Sequence, residues 1–258
     1  MVETVFAGES GNNLFQYFLS FCISHEKKYG VTFKTHERGN TFKKQNKYFV
    51  FNGLKLPHTI EGEMVSKNLK EYGGHIFNWE EALNHVGRIK LNGFFQKYGY
   101  YKPYKGIIKK IILKHNDIYG YHDKPGKNDL VLHFRNYKHV RNTPVSYYEE
   151  LILDGDYDTI WLVSKEINSE MRYLQTKYKN VKLKMGNDEN DFLFICNATN
   201  IGISQSTFSW WAAFISMADK IFFPLGMNNN YLWYENSSKE RINLFVDDEE
   251  RYIKKIIQ

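Results

Sequence analysis

Residues Ile203 to Phe214 read Ile-Ser-Gln-Ser-Thr-Phe-Ser-Trp-Trp-Ala-Ala-Phe, so an apolar run from Thr199 to Ile203 passes through a hydroxyl-rich junction straight into an apolar helix. The run has the composition of a buried strand, and a buried strand feeding a helix is the unit from which parallel α/β layers are built. The first N–H groups of a helix have no acceptor within it. The hydroxyls of Ser204, Ser206 and Thr207 can therefore cap those groups or join them in donating to an anion. Such a junction is a seat for a phosphate and points to a nucleotide-bearing ligand.

The rest of the chain repeats this alternation. Val2 to Phe6 reads as a strand, Gly8 to Asn13 as a glycine turn, Leu14 to Ile23 as an apolar helix and Val31 to Lys34 as the next strand. Signals weaken from Thr35 to Glu80, with one short strand expected at Tyr48 to Phe51; Arg88 to Leu91 is a further strand and Ile107 to Leu113 is helical. After Lys124 to Asn128 a second series begins, with strands at Asp129 to Arg135, Thr159 to Ser164, Val181 to Met185, Asn200 to Ile203 and Lys220 to Phe223, the last stopped by Pro224. Helices fall between them at Ser146 to Leu153, Ser169 to Tyr178, Glu189 to Cys196 and Phe208 to Met217, and Glu249 to Ile257 has the pattern of an amphipathic helix. The pattern predicts an α/β fold of two Rossmann-like halves, residues 1–120 and 121–258, with a cleft between them and the last helix packing back on the first half. Ligands of such sheets sit at the carboxyl ends of the strands, and Gly8 to Asn13, His133 to Asn136 and Ser204 to Thr207 all fall at such ends.

Composition narrows the function. A net charge of +6 favours anionic ligands, yet the lysines are scattered and form no long basic tract, which argues against nucleic-acid binding. The two cysteines, Cys22 and Cys196, lie inside apolar patterns without metal spacing and read as buried thiols in a reducing compartment. No basic region followed by an apolar core opens the chain and no apolar run approaches the ~20 residues of a membrane span, so a cytoplasmic protein, with peripheral membrane association at most, is expected.

His133-Phe134-Arg135 ends a buried strand, and alternation puts His133 and Arg135 on one face. A guanidinium there is costly unless an anion meets it, and its fork suits a pair of phosphate oxygens; a local salt bridge, for example to Asp129, is the plainer alternative. Gly8, Gly11 and Asn12 permit close backbone approach to a ligand and an Asn cap on the next helix. Asp154-Gly155-Asp156 matches a metal-binding pattern of another transferase class, but Asp and Gly between a helix and a strand are ordinary turn formers, and no metal or other cofactor is expected.

In combination these segments resemble the α-1,2-fucosyltransferase family. Gly8 to Tyr17 is similar to its N-terminal glycine motif, Asn92-Gly93-Phe94-Phe95-Gln96 to its central aromatic segment, Leu130 to Arg135 to its His-x-Arg strand and Ser204 to Trp211 to its C-terminal signature, in family order. The resemblance implies a metal-independent, inverting glycosyltransferase of GT-B type. Its C-terminal half would hold a nucleotide sugar, GDP-fucose in the family, and its N-terminal half a glycan acceptor. Arg135 would contact the donor diphosphate with Gln205, Ser206 and Thr207 opposite, and Asp188 or Asp191 would bind the base or ribose. Glu9 and His133 are the candidate general bases by chemistry alone. The family continues His-x-Arg-x-Gly-Asp where this chain has Asn136-Tyr137-Lys138, which leaves open another nucleotide sugar or an inactive binding protein.

Overall fold

The computed structural model describes residues 1–35, 68–119, 123–135, 142–229, 231, 233 and 242–258; the strand expected at Tyr48 to Phe51 lies outside them. The chain divides into two units, Met1–Ile111 with Ser238–Asn243 and Ile112–Ser237 with Leu244–Gln258.

The first unit runs β1 (Val2–Phe6), α1 (Ser10–Lys27), β2 (Val31–Thr35), β3 (Leu69–Gly74), α2 (Trp79–Asn84), β4 (Arg88–Gly93) and the short α3 (Tyr98–Tyr101). Its described strands form one parallel sheet in the order β2-β1-β4-β3. Helix α1 is apolar nearly all round, and from Ser10 to Ser24 only Asn12 reaches solvent to any extent. A helix buried that completely must satisfy its polar groups internally. Ser20 bonds Thr4 of β1 and donates to the Gln16 carbonyl at 2.8 Å, and the Ser24 hydroxyl donates to the Tyr29 carbonyl. The helix starts earlier than its hydrophobic pattern suggests. Its N-cap is Glu9, without a side-chain cap bond, so the Asn cap expected at this turn is replaced by Asn12 and Asn13 inside the first turn.

The division between the units falls within α4 (Lys105–Tyr119). The second unit then runs β5 (Leu130–His133), α5 (Val145–Leu153), β6 (Ile160–Val163), α6 (Ser169–Lys177), β7 (Val181–Lys184), α7 (Asp188–Cys196), β8 (Asn200–Gly202), α8 (Thr207–Ile215), β9 (Lys220–Gly226) and β10 (Tyr252–Ile257). All six strands are parallel, in the order β10-β9-β8-β5-β6-β7, with helices on both faces. Alternation along β5 sends successive side chains to opposite layers. Phe134 stacks on Tyr148 of α5 at 3.7 Å between ring centroids, while His133 stacks on Phe208 of α8 at 5.5 Å.

Two expectations are corrected here. The C-terminal segment read as an amphipathic helix is strand β10, hydrogen-bonded along β9, so no last helix packs back on the first half. Nor does Pro224 stop β9, which continues to Gly226. Ile203 N–H bonds the Phe222 carbonyl, so Phe222, and by alternation Pro224, face the β8 side; β8 has ended at Gly202 and the missing proline N–H forfeits no ladder bond. Tyr147 of α5 closes that open end by donating to the carbonyls of Ile203 and Phe222 at 3.0 and 2.9 Å.

A Cβ at Gly202 would lie 2.4 Å from Leu132 Cδ2 and 2.8 Å from Leu151 Cδ1, so any larger residue forces these packed side chains to shift. Gly202→Ala should therefore cost about 1–3 kcal/mol by overpacking, read as a lower urea midpoint with unchanged m-value. An unchanged midpoint would mean that the β5–β8–α5 layer is looser than described.

Candidate functional site

In the second unit the candidate residues gather at the carboxyl ends of two neighbouring strands. β5 and β8 run side by side in register, Leu132 opposite Gly202, so the chain leaves both strands at the same edge of the sheet. Past β8, Ser204-Gln205-Ser206 forms the junction and Ser206 is the N-cap of α8 in extended conformation, with no side-chain cap bond. Ser209, in the first turn, sends its hydroxyl back to the Ser206 and Ser204 carbonyls at 3.2 and 3.4 Å. The helix N-terminus keeps the polarity that favours an anion.

What fixes this junction is buried. The Ser204 hydroxyl bonds His133 Nδ1 at 2.7 Å, joining the ends of β5 and β8. His133 is 5% exposed, and burial pushes its pKa down to about 3, so the imidazole is neutral. Gln205 is also consumed internally: its amide donates to the Pro224 and Trp233 carbonyls at 3.0 and 2.7 Å and its oxygen accepts from Trp233 N–H at 2.9 Å. Its own N–H bonds Thr143 Oγ1 at 2.9 Å. Gln205 therefore positions the turn. Thr143, Pro224 and Trp233 take part in this framework and carry no sequence signal, since each acts through a contact distant in the chain.

Arg135 lies two residues beyond β5, half-buried, at the edge where Ser206 and Thr207 open α8. Asp129 is not its counterion. It precedes the amino end of β5, where its carboxylate accepts from Gly126 N–H at 2.7 Å and the Trp161 indole at 2.8 Å. Asp188 and Asp191 lie in the first turn of α7, after β7 at the far side of the same edge. Asp191 is 5% exposed and its Oδ1 accepts no hydrogen bond among the described residues. Burial raises its pKa to about 6, against a Gly186 N–H bond and the Lys184 charge, which lower it, and the Asp188 charge, which raises it. Asp154 ends α5 and lies 3.6 Å from Lys255; no cluster of three metal-ligating side chains occurs among the described residues.

The first unit carries its own cluster. Gly8 adopts φ +79°, and a Cβ there would fall 2.3 Å from Asn12 Nδ2, so only glycine fits the turn. Asn12 Oδ1 accepts from Gln96 Nε2 at 2.6 Å, while Gln16 bonds Ala7 N–H, Asn13 and the Gly93 carbonyl at 2.9–3.2 Å. The glycine motif and the Asn92–Gln96 segment are thus one hydrogen-bonded framework across β1 and β4. Glu9 is exposed beside it and Gly11 is buried in the first turn of α1. The structure gathers Gly8, Glu9, Gly11 and Asn12 in the first unit, and His133, Arg135, Gln205, Ser206 and Thr207 in the second.

No protein-family model and no curated protein sequence matches the chain. Among solved structures, the E. coli heptosyltransferase WaaC with ADP is similar over 100% of this chain and 93% of its own, with a TM-score of 0.51 at 11% identity. A mutant of Arabidopsis thaliana FUT1 in complex with GDP aligns over 93% of this chain and 71% of its own, with a TM-score of 0.49 at 8% identity. The fold is GT-B-like, with two parallel α/β sheets. The similarity is to glycosyltransferase structures and leaves donor and acceptor to the chemistry of the site. No helix among the described residues is long and apolar enough to cross a membrane.

The buried His133 predicts a pH dependence. Below about pH 6.5 the unfolded chain binds a proton at this histidine that the folded chain refuses until about pH 3, so stability falls as pH drops, by up to about 1.4 kcal/mol per pH unit. Asp191 acts in the opposite sense between its ordinary 3.8 and about 6, so the histidine is isolated by comparing wild type with His133→Asn. The stability gap between the two should narrow as pH falls from about 7 to about 4. A constant gap would mean that His133 protonates freely in the folded protein.

Proposed function

We propose that this chain is an inverting glycosyltransferase that moves a sugar from a nucleotide-sugar donor to a hydroxyl of a glycan acceptor, without a metal. The observation that carries the reading is the junction of His133-Phe134-Arg135 with Ser204 to Thr207: a permanent cation and a helix N-terminus at one sheet edge, tied by a buried His133–Ser204 bond. The GT-B-like fold shared with WaaC, whose structure holds ADP, supports a nucleotide at such an edge. The four ordered motifs favour GDP-fucose as donor; another nucleotide sugar is the alternative that the missing Gly-Asp after Arg135 supports.

The chemistry follows from charge. As the acceptor hydroxyl attacks the anomeric carbon, the bond to the diphosphate breaks and negative charge grows on the leaving group. Arg135 and the first turn of α8 at Ser206 and Thr207 are fixed donors that would meet this charge without reorganising. His133 is ill-suited as a general base, since a buried imidazole with a pKa near 3 takes up protons weakly, and its bond to Ser204 supports a positioning role. Glu9, exposed at the start of α1, is the candidate general base by its chemistry. Asp191 and Asp188, in the first turn of α7, are the candidate contacts to the base or ribose.

Two measurements test this. With a panel of GDP-, UDP- and ADP-sugars and glycan acceptors, Arg135→Ala should lower transfer by about 100-fold or more while leaving the thermal midpoint near wild type, as expected for a lost charge-stabilising donor. Transfer at the wild-type rate would remove Arg135 from the mechanism, and nucleotide binding without turnover in the wild type would favour an inactive homologue. Asp191→Asn should hold or gain stability at about pH 8, where the native carboxylate is charged, yet bind the nucleotide about tenfold more weakly. Unchanged nucleotide affinity would dismiss Asp191 as a ligand contact.

A further inference from the structure

Three strand ends of the first unit converge on a residue that the sequence motifs do not contain. His75 follows β3 directly, β4 lies beside β3 and β1 beside β4. The His75 ring faces Phe94, with centroids 6.1 Å apart and planes inclined by 33°. The backbone N–H of Gln96 points at His75 Nδ1, 3.3 Å away. A backbone N–H can only donate, so Nδ1 is the acceptor and the imidazole proton sits on Nε2. His75 Nε2 makes no hydrogen bond among the described residues, and the side chain is half-buried. Burial and then the nearby Lys97 charge both lower its pKa, which favours the neutral ring.

The backbone is constrained to present this pair. Phe95 takes φ +51°, unusual for a bulky residue and sustained only where its surroundings enforce it. They do: the Gly74 carbonyl accepts from both Phe94 and Phe95 N–H at 2.7 and 3.1 Å, and Tyr101 donates to the Phe95 carbonyl at 3.0 Å. Tyr100 holds the other arm, accepting from Phe77 N–H at 2.9 Å and donating to the His75 carbonyl at 3.3 Å. The strained residue is fully buried while its neighbour Phe94 is left partly exposed next to a histidine donor.

We infer that His75 and Phe94 form a pyranose-binding subsite, in which the Nε2–H of His75 donates to a ring hydroxyl and the Phe94 ring packs on the apolar face of the sugar. A flat apolar ring beside one fixed donor suits a sugar, whose two ring faces are C–H-rich and whose rim is hydroxyls. The subsite deepens the acceptor side of the transferase reading and rests on it for its role, but its binding chemistry can be measured alone.

The test uses the full chain labelled with nitrogen-15. Long-range proton–nitrogen spectra should find His75 as the Nε2–H tautomer; the Nδ1–H form would overturn the inference. Methyl glycosides of galactose, glucose, mannose and N-acetylglucosamine are then titrated. At least one should shift the His75 and Phe94 signals, with binding weakened about tenfold by His75→Ala or Phe94→Ala and partly restored in His75→Gln, whose amide reaches the Nε2 position. In transfer assays the same two alanine variants should raise the acceptor KM about tenfold and leave the donor KM unchanged. Sugar binding lost in these variants, in a protein that transfers nothing, would sustain the subsite and defeat the transferase reading. Transfer with unchanged acceptor KM in both variants would sustain the transferase and defeat the subsite, as would wild-type signals unmoved by every glycoside.

Discussion

The candidate donor site depends on one buried hydrogen bond between a neutral histidine and a serine hydroxyl. His133 and Ser204 belong to adjacent strands, and each sits where its strand gives way to irregular chain. The net stabilisation of such a bond is about 0.5–1.5 kcal/mol, while stranding either partner in the interior costs about 1–3 kcal/mol, so its value is mainly geometric. It sets the distance between the strand end that precedes Arg135 and the helix start at Ser206. Stacking of the imidazole on Phe208, itself edge-on to Phe192, extends that restraint into α7 and α8.

Around this bond several polar side chains hold the backbone. Gln205, Tyr147 and Thr143 spend their hydrogen bonds on carbonyls and N–H groups where β8 stops and β9 continues. Gln16 and Asn13 do the same at the ends of β1 and β4, and Gln96 ties the two segments by donating to the Asn12 side chain. A parallel sheet ending in irregular chain exposes several backbone groups at its carboxyl edge, and amide side chains satisfy them without adding charge. At the same edges stand Arg135 and the start of α8 in one unit, and His75 with Phe94 in the other.

Most of the second sheet was legible in the sequence because its strands are continuous apolar runs punctuated by Gly, Asn and Asp, as in Leu130–His133 and Ile160–Val163. The failures have physical causes. Tyr252, Ile253, Ile256 and Ile257 fit a helical period, and the open edge of β9 decides for a strand, a choice that no local pattern records. Pro224 reads as a terminator only if both of its edges are paired, and one of them is not. β3 buries a single side chain, Tyr72, so it has no hydrophobic signature, and His75 was missed with it. At the donor edge, Ser204 to Thr207 and Arg135 stood out by chemistry, whereas the inward bonding of Gln205 and the low pKa of His133 come from burial that only the assembled sheet creates.

The proposed donor site seats a diphosphate between Arg135 and the first turn of α8. It is tested most directly by titrating GDP, UDP and ADP into the protein labelled with nitrogen-15 and following backbone amides. A nucleoside diphosphate should move the Thr207, Phe208 and Ser209 amides strongly downfield together with the Arg135 side-chain signal, and the corresponding nucleoside should not. If saturating diphosphate leaves those resonances in place and perturbs others instead, the phosphate seat is elsewhere and the account is wrong.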